Sequence, residues 1–179
     1  MDRRDLLRLM AAASTLSFLP RSAEAVVRLG RAAHRAASPV LRAMTPQTGR
    51  LVSTLADLIL PRTETPGATD VGIPQFIDGL LADWFPDDER RQFLDGLDDL
   101  NRRAGSRYRA SFVDLDQDTQ VAMLATLDGA EGSPASAEAA FSRLKSLTVY
   151  GYFTSETVAR DVLQDPIIPG RFEGCAPWQ

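Results

Sequence analysis

Apolar residues recur at three- and four-residue intervals along most of this chain, and prolines cut that pattern into short lengths. Leu51, Leu55, Leu58 and Ile59 fall on one helical face, and Pro61 stops the run because a proline excludes its predecessor from helical backbone. Thr63 to Gly72 reads as a polar loop, with Pro66-Gly67 suited to a type II turn. A second helix opens at Pro74, where the missing N–H costs nothing, and carries Phe76, Ile77, Leu80, Leu81 and Trp84 as far as Pro86. Asp87 suits the cap of a third, with Phe93, Leu94, Leu97 and Leu100 inward and a stop at Gly105. Asp116 caps a fourth through Val121, Leu124 and Leu127, and a fifth runs from Ser136 through Phe141, Leu144 and Leu147 towards Tyr150. Ser155 caps a sixth with Val158 and Leu163 facing inward, and an irregular tail follows from Pro166. No stretch alternates apolar and polar residues, and no strand, Gly-rich loop and helix follow one another. The pattern predicts an all-α, small single-domain helical bundle of about five or six short helices.

Charge and rare residues narrow the function. Residues 1–50 hold nine Arg against three acids, a net of +6, whereas the remainder holds eleven basic and twenty-one acidic side chains, a net of -10. An acidic body repels a phosphate backbone, which argues against nucleic-acid binding. The chain has one histidine, His34, and one cysteine, Cys175. One cysteine makes no internal disulfide, and the pair falls short of a zinc ligand set. A Ser-His or Cys-His catalytic pair would have to use His34, which sits in an Ala- and Arg-rich stretch expected to lie outside the core. No G-x-G-x-x-G is present for a dinucleotide and no C-x-x-C-H for haem. The sequence therefore reads as non-catalytic, with no catalytic, cofactor or metal site of its own.

Residues 1–25 have the layout of an export leader. Consecutive Arg3 and Arg4 precede Leu6 and Leu7, a mostly apolar stretch runs from Leu9 to Leu19, and Ala23-Glu24-Ala25 offers a signal-peptidase sequence. The apolar stretch is well short of the roughly 20 residues of a permanent span. The Arg pair and modest hydrophobicity favour a twin-arginine signal over an ordinary secretory one or a retained amphipathic helix. That route carries proteins folded before they cross. Residues 26–49 read as an Ala/Arg-rich linker with some helical tendency, and residues 50–179 as the helical domain.

Two segments stand out in the body. In the first, Asp57 to Ala68, the residues Pro61, Arg62, Thr63, Pro66 and Gly67 form a loop without a nucleophile or tunable base. A pairing of Asp57 with Arg62 beside a turn accounts for it. In the second, Leu147 to Glu156, Tyr150, Tyr152 and Phe153 surround Gly151, where backbone can approach a neighbour closely. These aromatics suit a protein interface or the packing of a helical corner equally. The acids Asp87, Asp88, Glu89, Asp95, Asp98 and Asp99 read as a solvated helix face, the alternative being a carboxylate metal site, for which ligand histidines are missing.

These segments, with I-P-Q-F-I-D at 73–78 and P-G-R-F-E-G-C at 169–175, resemble the gluconate 2-dehydrogenase subunit 3 family. The resemblance covers roughly residues 50–176. It implies the small γ-type accessory subunit of a periplasmic oxidoreductase complex, associated with the inner membrane. There a large flavoprotein carries FAD and oxidises a sugar or sugar acid, and a multihaem cytochrome c subunit passes electrons to quinone. The small subunit binds and stabilises the flavoprotein and takes it across by the twin-arginine translocase. The Pro61–Gly67 loop and the Tyr150–Phe153 corner are then the expected contact regions. Cys175 in an oxidising compartment is either buried or disulfide-bonded to the large subunit. The competing expectation is a free-standing periplasmic or membrane-surface structural protein without a dehydrogenase partner.

Overall fold

The computed structural model describes residues 23–38 and 40–163, and among them every regular element is helical. Six α-helices follow one another: α1 Ala23–Ala36, α2 Pro46–Ile59, α3 Ile73–Asp83, α4 Asp87–Tyr108, α5 Gln117–Leu127 and α6 Ala137–Thr154. Short 3-10 turns at Thr69–Val71 and Phe112–Asp114 and a π-helical turn at Val158–Val162 complete the order. The all-α expectation is met. Arg3, Arg4, Leu6, Leu7 and Cys175 lie outside the described residues.

Local chemistry sets the boundaries. The Thr45 hydroxyl accepts the Thr48 N–H (3.1 Å) and Pro46 opens α2, so that helix starts inside the stretch 26–49 expected as a linker. Asp116 and Ser136 cap α5 and α6 by accepting the N–H groups of Thr119 and Ala139. Asp87 is already the first helical residue of α4, with Pro86 in the cap position, so its carboxylate acts on the helix dipole. Gly105 does not stop α4. The helix runs to Tyr108, its closing bond joins the Arg109 N–H to the Gly105 carbonyl (3.0 Å), and Arg109 itself takes the left-handed conformation at φ 57°. Likewise α6 passes Tyr150 and continues to Thr154, because Gly151 is needed for packing inside the helix.

α6 is the axis of the bundle. It lies against α4 along the longest contact and also touches α1, α2, α3 and α5. Phe76, Ile77, Leu81, Phe93, Leu97, Leu100, Leu144 and Leu147 are essentially sealed from water between these helices. Full burial of such side chains contributes about 1.5–3 kcal/mol each before entropy is set against it.

Three residues expected inside face solvent. Trp84 is 56% exposed because α3 ends at Asp83, and Phe85 fills the inner place as its N–H bonds to the Leu80 carbonyl. Val121 is 50% exposed because α5 turns Gln120 inward, where its amide donates to the Phe112 carbonyl at 2.9 Å. Leu163 ends the π turn in solvent, while Val158 and Val162 make the contacts.

Residues 26–49, expected as a linker, are mostly built into the body. α1 covers α3 and α6 with Gly30 and Ala33 buried, and Met44 reaches the core. The stretch reads as a linker because the residues it packs inward, Gly30, Ala33 and His34, are small or polar and stand among three arginines, which keeps its mean hydropathy low.

Candidate functional site

The loop after α2 is held from four sides. The Ala68 N–H returns to the Leu60 carbonyl (3.0 Å), and the Thr63 N–H bonds to the Thr65 carbonyl (3.1 Å). Asp57 accepts the Thr69 N–H (3.0 Å) and its hydroxyl (2.9 Å), while Asp70 accepts the Gly67 N–H (2.8 Å). Arg62 pairs with Asp70 at 3.3 Å, so the expected Asp57–Arg62 pair does not form. Asp57 is used to tie the 3-10 turn to α2, which leaves Asp70, on that turn, for the arginine. Gly67 is not a type II turn glycine either, since positive φ occurs among described glycines only at Gly72 and Gly129. It is required because a Cβ there would lie 2.9 Å from the Arg62 nitrogen. Pro61, Arg62, Thr63 and Glu64 are left exposed on this braced frame.

The second sequence segment meets the first. The Tyr152 hydroxyl donates to the Pro66 carbonyl at 2.8 Å, across 86 positions of chain. Tyr152 is buried, and Phe153 sits edge-on to it with centroids 5.6 Å apart and 47% of its surface exposed. The exposed loop and the exposed Phe153 ring are therefore joined through one buried tyrosine. The other half of the corner serves the interior. A Cβ on Gly151 would lie 2.7 Å from Phe76 Cδ1 and 2.9 Å from Ile73 Cδ1. The Tyr150 hydroxyl donates to the Val26 carbonyl of α1 at 2.6 Å, and burial pushes its phenol up to about 12.

His34 is not outside the core. It stacks on Phe76 with centroids 4.4 Å apart, and its Nε2 lies 2.7 Å from the Gly151 carbonyl, which assigns the proton to Nε2. Burial lowers its pKa from the ordinary 6.5, partly offset by the bond to Gly151. The unfolded chain then takes up the proton more readily. The stability that the neutral ring contributes is complete above 6.5 and is lost as pH falls from there towards the folded value. A lower melting temperature at about pH 5.5 than at pH 7.5 is expected, with the difference reduced in His34→Phe; an equal difference in both proteins would exclude the ring as its source.

One organising residue escaped the sequence reading. Asp78, on α3, is buried to 2% exposure and its carboxylate accepts three successive backbone N–H groups: Arg42 (2.7 Å), Ala43 (3.0 Å) and Met44 (2.8 Å). Arg42 then turns its guanidinium to Asp83 with two bonds of 2.9 and 2.6 Å. The signal available was one acid within an otherwise apolar helix, which alone names no partner.

The acidic helix divides in use. Asp87, Asp88, Asp95 and Asp98 are exposed, Asp87 pairing with Arg90 at 2.6 Å, whereas Glu89 bonds Arg143 and Asp99 bonds Arg102 and Arg103. Arg103 also grips Glu138 at 2.5 and 3.2 Å, holding that carboxyl down to about 2. Among the described residues no group of three or more His, Cys, Asp or Glu is placed to hold a metal ion, and no helix is long and apolar enough to cross a membrane.

What is built here is a small all-helical domain whose organised features are a buttressed loop, an adjoining aromatic and a helix clasped to its flank. The gluconate 2-dehydrogenase subunit 3 family profile matches residues 46–170. The chain belongs to that family, the helical subunit of a multisubunit dehydrogenase. No similar curated protein and no similar solved structure was found.

Proposed function

We propose that this chain is the non-catalytic subunit that binds and stabilises a FAD-dependent sugar or sugar-acid dehydrogenase flavoprotein and, through Arg3, Arg4, Leu6 and Leu7, takes it across the inner membrane by the twin-arginine route. The observation that carries the reading is the family match over residues 46–170, which takes in the whole of the described body after α1 and the segment that follows it. The flavoprotein holds the FAD, and a multihaem cytochrome c subunit receives its electrons at the periplasmic face of the membrane. The Pro61–Glu64 ledge with Phe153 supplies the docking surface, because a loop already held by Asp57, Asp70 and Tyr152 loses little conformational entropy on binding. An exposed aromatic beside it is the residue type that anchors interfaces.

Co-expression with a neighbouring flavoprotein gene tests this. FAD-dependent dehydrogenase activity should reach the periplasm with the intact chain and fall on the order of tenfold or more with Arg3→Lys/Arg4→Lys. Phe153→Asp should leave folding unchanged and weaken co-purification by about tenfold or more, the loss of one interface anchor. Flavoprotein that exports and works without this chain would exclude the role.

A further inference from the structure

The Ala23-Glu24-Ala25 sequence lies within the first turn of α1, and that turn is part of the folded body. Val26, which would become the first residue after cleavage, offers its carbonyl to the Tyr150 hydroxyl at 2.6 Å. One turn on, Gly30 is so close to α6 that a Cβ would sit 2.5 Å from Thr154 Oγ1. Ala33 is buried beyond it, and His34 is held by Phe76 and the Gly151 carbonyl. The contacts repeat along one face of the helix, so its first turn cannot open without loosening the Tyr150 bond.

A peptidase takes its substrate as an extended strand, because main-chain bonds along the cleft align the scissile carbonyl. From Ala23 to Val26 an extended chain spans about 10 Å, whereas three helical residues rise only about 4.5 Å. The bond after Ala25 is therefore presented in the wrong backbone shape. A chain exported unfolded would meet the peptidase before α1 formed, whereas one delivered folded arrives with α1 docked.

We infer that docking of α1 protects the Ala25–Val26 bond and that the leader stays on the exported protein. Retention of the leader rests on the export reading above; protection of the bond does not. The retained residues 1–22, with their apolar Leu9–Leu19 stretch, then tether the subunit at the membrane surface.

The test is digestion by a bacterial signal peptidase in detergent micelles, read by intact mass. The purified full chain is compared with a peptide of residues 10–40, which has the same sequence without the body. The peptide should be cut after Ala25, and the full chain on the order of tenfold or more slowly, since cleavage must wait for local opening. Tyr150→Phe, which removes the hydroxyl that bonds the α1 backbone at Val26, should speed cleavage of the full chain, and Gly30→Leu, which forces α1 off Thr154, should speed it further. Equal cleavage of full chain and peptide would overturn protection, as would a peptide left uncut at Ala25. Because no translocation is involved, failure of the chain to reach the periplasm counts against the export role and leader retention, and leaves protection of the bond to be decided by the digestion.

Discussion

Replacing Asp78 by alanine is expected to cost about 3–5 kcal/mol, the effect of removing the partner from a buried, hydrogen-bonded charge site. Three backbone N–H groups, from Arg42, Ala43 and Met44, now end on the two oxygens of one carboxylate. Without it, the Met44 N–H is stranded in the interior and two part-buried N–H groups lose their acceptor, and the chain between α1 and α2 keeps the exposed Arg42–Asp83 pair as its side-chain tie to α3. For a domain of this size the loss corresponds to a melting temperature lower by about 10 °C. Asp78→Asn should fall between, because its amide oxygen still accepts while its NH2 group faces a donor. Hydrogen exchange at residues 42–44 reports the cause. Unchanged protection there together with an unchanged melting temperature would refute the anchoring role.

Gly151→Ala is expected to destabilise by about 1–3 kcal/mol, the range for overpacking a filled core. Alanine favours a helix over glycine by about 1 kcal/mol, so a neutral site would show a gain. Here the new methyl would sit 2.7 and 2.8 Å from two atoms of the Phe76 ring and 2.9 Å from Ile73. Phe76 cannot retreat, since His34 stacks on its ring and Tyr150 packs against it at 5.9 Å. α6 and α3 must therefore separate, and the His34 bond to the Gly151 carbonyl weakens with them. Thermal unfolding and the His34 ring resonances check this together. A stabilised variant with unshifted His34 signals would show that the contact relaxes freely.

These two sites show how far the sequence could be read. The apolar rows of α2, α3, α4 and α6 were legible because large side chains at three- and four-residue spacing have few alternatives to one buried face. Caps at Asp116 and Ser136 were legible because the bond that a cap makes is three residues away. Arg109 in place of Gly105 as the end of α4 was not, because either residue can close the last turn and packing along α6 decides how far the helix runs. The loop and the aromatic corner were each visible, but not the Tyr152 bond that joins them.

The sequence by itself determined the helical class, the order of the elements, the family and the two segments that organise the surface. These depend on local periodicity, capping and short motifs, whose physics acts within a few residues. Only the tertiary structure decided that α1 belongs to the body, that Asp78 holds the segment behind it and that His34 is half-buried against Phe76 of the core. Each of those depends on groups distant along the chain meeting at a few ångströms. A small-residue helix face, a lone buried acid and a single histidine name no partner until the backbone brings one within reach.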